Sequence, residues 1–75
     1  VIIKLMKDII INPKIKLGKP VIKGTRVTVD VVVGKIASGM TIEEVMKEYG
    51  LTRKQVLAAL KYAAELVARE KVLAL

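Results

Sequence analysis

Thr41-Ile42-Glu43-Glu44-Val45-Met46-Lys47-Glu48-Tyr49-Gly50-Leu51-Thr52-Arg53-Lys54-Gln55-Val56 contains two helix starts and one helix stop. Thr41 with Glu44 is a capping box: hydroxyl and carboxylate each accept a backbone N–H that a first helical turn leaves unpaired. Thr52 with Gln55 repeats the pattern, and Leu51 against Val56 has the spacing of a hydrophobic staple. Between the two starts, Ile42, Val45, Met46 and Tyr49 share one helical face, and Gly50 supplies the left-handed residue that ends a helix. Two helices therefore meet across Gly50-Leu51, too short a link for a relaxed antiparallel hairpin, which predicts a helix-turn-helix. Val45, Tyr49, Leu51, Val56 and Ala59 take the apolar places around the turn. Met46 stands where a small residue usually lets the helices approach, so the expected crossing angle departs from the standard unit.

Toward the C-terminus, Val56, Leu60, Ala63 and Val67, flanked by Ala59 and Leu66, form the expected buried stripe of a long third helix. The opposite face then holds Lys54, Ala58, Lys61 and Glu65, with Thr52 and Arg53 at the helix start. A recognition helix has this layout: its N-terminal residues reach base edges while lysines and backbone amides grip phosphates. Arg53 and Gln55 suit base reading, although Gln55 also serves the capping box. Ala58 allows close approach to a groove, and Glu65, repelled by phosphate, ends the contact beyond Lys61. The expected DNA-binding residues are thus Thr52, Arg53, Lys54, Gln55, Ala58 and Lys61; a merely solvated helix face is the alternative. The apolar tail Val72-Leu73-Ala74-Leu75 either packs on the protein's own β element or is offered to a partner, and the sequence leaves both open.

Toward the N-terminus, alternation of Val27, Val29, Val31 and Val33 suits a strand, and the stripe Val29, Val32, Val33 and Ile36 suits a helix. Thr28 as N-cap, Asp30 in the first turn and Gly39 past the end favour a helix over residues 29–38. Gly34 weakens it by ~1 kcal/mol relative to alanine. Before it, Ile9-Ile10-Ile11 is a β-branched run stopped by Asn12-Pro13. Val21-Ile22 and Arg26-Val27-Thr28 read as the arms of a hairpin turning at Lys23-Gly24. Such a ribbon is not stable alone, so it must lie on the helices or pair with another chain. The fold expected is mainly α: one domain over residues 1–75, with a β element in 1–28 and three helices in 29–75.

A chain of 75 residues without cysteine or histidine has neither disulfides nor the usual zinc ligands to support a small core. With 53% apolar residues, self-association is the remaining device, and a homodimer is expected. The charge of +7 points to a polyanionic partner, double-stranded DNA first. Lys14, Lys16, Lys19, Lys23 and Arg26 crowd the N-terminal half. Lys19, Lys23 and Arg26 are candidate phosphate contacts; Lys14 and Lys16 serve equally well as charges that discourage edge-strand aggregation. Gly18-Lys19 is no phosphate loop, because the earlier glycine is missing and Pro20 replaces the magnesium-binding hydroxyl.

Catalytic residues, cofactor and metal are expected to be absent. Glu43 and Glu44 are explained by the helix start, and Glu48, one turn past Glu44, lacks a third ligand. No apolar run is long enough for a membrane span and no signal peptide is legible, so a cytoplasmic protein without membrane contact is expected. The chain begins at Val1, as one trimmed at its start or initiated on an unusual codon would. A single Asn, a single Gln and abundant Ile, Val, Lys and Glu fit a thermophile.

The stretch Asn12-Pro13, Gly18-Lys19-Pro20-Val21-Ile22-Lys23-Gly24-Thr25-Arg26-Val27-Thr28-Val29 and Ser38-Gly39-Met40-Thr41-Ile42-Glu43-Glu44-Val45 resembles the domain of unknown function 433 family, which includes VapB-type antitoxins. The resemblance runs from about Ile9 to Glu65. It implies a β-hairpin preceding a homeodomain-like three-helix bundle. It also implies an antitoxin of a toxin–antitoxin operon, whose helix-turn-helix represses transcription while another surface neutralises a PIN-like ribonuclease toxin. Gly18, Pro20, Gly24, Thr25 and Arg26 match the family signature, which reads as structural. Leu17 departs from it, since a second glycine often stands there.

Overall fold

The structure is a computed structural model that describes residues 3–6, 8–14 and 18–70. Six elements follow in order: β1 (Ile3–Met6), β2 (Ile9–Ile11), β3 (Pro20–Ile22), α1 (Val29–Ala37), α2 (Ile42–Tyr49) and α3 (Arg53–Glu70). The strands form an antiparallel sheet in the order β1-β2-β3. Ile9 pairs with Ile22, Ile10 with Val21 and Ile11 with Pro20. The link between β2 and β3 starts with an Asx turn, in which the Lys14 N–H donates to Asn12 Oδ1 at 3.0 Å.

The expected turn at Lys23-Gly24 is present: Gly24 has φ 82° and the Ile22 N–H donates to the Val27 carbonyl at 2.9 Å. Its second arm differs from expectation. Residues 26–28 are no strand and touch β3 through one bridge, Val21 to Thr28, while β3 takes β2 as its strand partner. The cause is local. Thr25 Oγ1 donates to the Ile22 carbonyl at 2.8 Å and accepts the Val27 N–H at 3.0 Å, so that amide is committed to the turn. One residue after Thr28 the chain is already helical.

Packing explains why the sheet persists. Ile9 and Ile22 are fully buried in one cluster with Val29, Val32, Val45, Leu51, Val56 and Ala59. The sheet thus lies on the helices and closes their core.

The bounds of α1 and α2 and the start of α3 lie close to expectation. Both halves of the Thr41–Glu44 capping box form, at 3.1 and 2.8 Å, as do both halves of the Thr52–Gln55 box, at 3.1 and 2.9 Å. Thr28 stands at the N-cap of α1, yet its side chain makes no capping bond. It is buried and its hydroxyl is turned to the Asp30 carboxylate.

Gly50 ends α2 at φ 66°, and nothing lies within 4 Å of a Cβ built there. Gly50→Ala therefore carries only the backbone penalty of the left-handed region. It is expected to lower stability by ~1 kcal/mol in urea unfolding, and Gly50→Val by more.

Two expectations for α3 need correction. Val67, expected on the buried stripe, is 64% exposed, and Leu66 beside it is 42% exposed. Ala59 and Val56 are the fully buried pair, with Leu60 and Ala63 only half-buried. The reason is length: α3 has 18 residues against 9 in α1 and 8 in α2, so its outer turns overhang the core. Ala58, expected on the free face, is half-buried against the core on the flank shared with Gln55 and Tyr62. Lys16, Leu17 and the tail Val72-Leu73-Ala74-Leu75 lie outside the described residues.

Candidate nucleic-acid interface

Three residues, Gly50-Leu51-Thr52, join α2 to α3. Leu51 is buried, and its N–H donates to the Met46 carbonyl at 3.0 Å, which fixes the start of α3 against the end of α2. The first turns of α3 then present Thr52, Arg53, Lys54 and Lys61 to solvent. Gln55 is half-buried, and its Oε1 accepts the Thr52 N–H, leaving only its amide NH2 for a ligand.

Leu57 is a member of this face that sequence periodicity did not single out. It is 45% exposed and lies three residues after Lys54 and four before Lys61, so an apolar side chain sits between two ammonium groups. A wheel centred on Ala59 as well as Val56 would have placed it outward. No acidic residue occurs on α3 before Glu65.

Arg53 is not free. Its guanidinium pairs with the Glu43 carboxylate at the start of α2, across the helix-to-helix crossing, with both side chains largely exposed. An exposed pair of this kind is worth at most ~1 kcal/mol, so a phosphate or a base edge can displace it. Local spacing carried no signal for it, because the partners are ten positions apart on different helices.

The N-terminal cations fall into a second group. Lys19 and Arg26, both exposed, flank an open cleft of about 570 Å³ with Val27, Thr28, Asp30, Val31 and Tyr49. Tyr49 is the last residue of α2, so the cleft adjoins the α2–α3 connection. Lys23 is exposed on its turn and stands outside this cleft. Gly18, with φ 81°, and Pro20 lead the chain into β3, and Gly24 and Thr25 close the turn behind it.

Lys19 Nζ lies 3.2 Å from Asp30 Oδ2. The Thr28 hydroxyl beside Asp30, then Lys19, holds its carboxyl below the usual value of 3.8. A lowered folded pKa stabilises the fold above the unfolded value, and the contribution disappears as pH falls through the folded one. Asp30→Asn is therefore expected to lower the melting temperature slightly at neutral pH, with the gap closing below pH 3.8. The effect is small because the carboxylate is largely exposed. A gap that persists unchanged in acid would show that Asp30 acts through packing alone.

Among the described residues no group of acidic side chains is arranged to hold a metal ion, and no helix is long and apolar enough to cross a membrane.

Among solved structures, the crystal structure of Rv2018 from Mycobacterium tuberculosis is similar, with a TM-score of 0.63 and 35% sequence identity. The match covers 69% of this chain and 24% of that one, so the chain corresponds to about a quarter of Rv2018. No curated protein matches. The family model described as protein of unknown function, DUF433, matches residues 9–63, from β2 into α3. On that match the chain belongs to the DUF433 family.

Proposed function

We propose that this protein is a double-stranded-DNA-binding module of the antitoxin type, acting in the cytoplasm as a homodimer and without catalysis of its own. In this reading α2, the Gly50-Leu51-Thr52 link and α3 form a helix-turn-helix within a homeodomain-like bundle, and the N-terminal half of α3 enters the major groove. The observation that carries it is the set of exposed residues Thr52, Arg53, Lys54, Leu57 and Lys61, with no acidic residue on α3 itself before Glu65. Lys54 and Lys61 grip phosphates on either side, Leu57 meets a thymine methyl, and Arg53 exchanges Glu43 for a guanine edge or a phosphate. Lys19 and Arg26, beside the end of α2, reach the flanking backbone.

The resemblance to VapB-type antitoxins adds a partner, a PIN-like ribonuclease neutralised by a surface other than the DNA face. The test is a salt titration of duplex binding by the parent and by lysine variants of α3. A second reading, a module that binds only protein, is favoured by the exposed Leu66 and Val67. It requires duplex binding to be weak and indifferent to Lys54 and Lys61.

A further inference from the structure

On the side of α3 away from its free lysines, Pro20, Val29, Val33, Tyr62, Ala63 and Leu66 line an open apolar groove of about 340 Å³. Lys19 and Asp30, which form an ion pair, line it as well. We propose that this groove receives the outer turns of α3 from a second copy of the chain, giving a two-fold dimer held by Leu66 and by Arg69 against the second copy's Asp30. The proposal rests on the paired DNA-binding reading and deepens it by naming the pairing surface.

Three observations select a second copy as the occupant. First, one patch carries both halves of a self-complementary contact: the groove, and the exposed knob Leu66 on the helix that borders it. That is the requirement of an isologous interface, where the same surface serves both partners. Second, the charges match. Arg69 lies three residues beyond Leu66 on the face shared with Tyr62, is exposed, and has no ion-pair partner within its own chain among the described residues. Asp30 lines the groove, and Lys19 is its one ion-pair partner among the described residues, so an approaching guanidinium adds a second cation to the carboxylate. Third, apart from Lys19 and Asp30 the groove is lined by apolar side chains and Tyr62, which suits another apolar helix face.

Leu66 and Val67 lie outside the buried cluster, so their replacement leaves the fold intact. Sedimentation equilibrium of the full chain across a range of concentrations should show a dimer. Leu66→Glu should raise its dissociation constant about 100-fold, with an unchanged helical circular dichroism spectrum. Arg69→Glu should weaken the dimer, and combining it with Asp30→Lys should restore it. A parent chain that stays monomeric overturns the proposal and leaves the groove to the chain's own last residues or to a different protein. A dimer that survives Leu66→Glu overturns it as well. A monomeric parent would also remove the homodimer from the function proposed above, whereas the contact of α3 with DNA is tested separately by its lysine variants.

Discussion

Ile22→Ala is expected to cost about 3 kcal/mol, a large part of the ~4–11 kcal/mol that a domain of this size has in total. Ile22 is fully buried, and it joins β3 to a cluster drawn from all three helices. Removing its outer carbons forfeits their transfer energy and leaves a hole. The surroundings are a short strand pinned by the Thr25 hydroxyl and a helix that starts a few residues later, so neither can slide in to fill it. Urea unfolding at fixed protein concentration should show the midpoint falling sharply, whereas Val67→Ala, on the overhang, should move it hardly at all. A loss below ~1 kcal/mol for Ile22→Ala would mean that the sheet is not seated on the helices in solution.

The second large effect concerns binding. Lys54→Ala combined with Lys61→Ala should reduce the slope of log affinity against log salt by ~2, close to one unit for each phosphate no longer neutralised. The weakening should be greatest at low salt and similar for every duplex sequence, because lysine on phosphate carries no base information. Both side chains are exposed and neither makes an ion pair among the described residues, so stability should stay within ~0.5 kcal/mol of the parent and the change reads on binding alone. Equal slopes for parent and double variant would remove α3 from the interface, and with it the case for a DNA-binding module.

What could be read from the sequence was whatever depends on neighbours within one helical turn. The Thr41–Glu44 and Thr52–Gln55 boxes and the stop at Gly50 are set by residues three or four apart, and their spacing is visible in a string of letters. The pairing of β3 with β2 was not visible, because it spans the Asn12-Pro13 turn and the residues that follow, while the nearer Arg26-Val27-Thr28 offered a more local partner. The exposure of Val67 depends on how far α1 and α2 reach beneath α3, which no wheel drawn for a single helix contains. The Arg53–Glu43 and Lys19–Asp30 pairs each bridge two elements and need the crossing geometry before they can be found.

The likeness to the family ends at Ala63, which is also the last residue of α3 that packs against the core. Beyond it, the side chains from Ala64 to Arg69 carry none of the folding constraint that fixes Val56 or Ala59. Substitutions in those outer turns can therefore change what the helix end touches while the fold beneath it stays as it is.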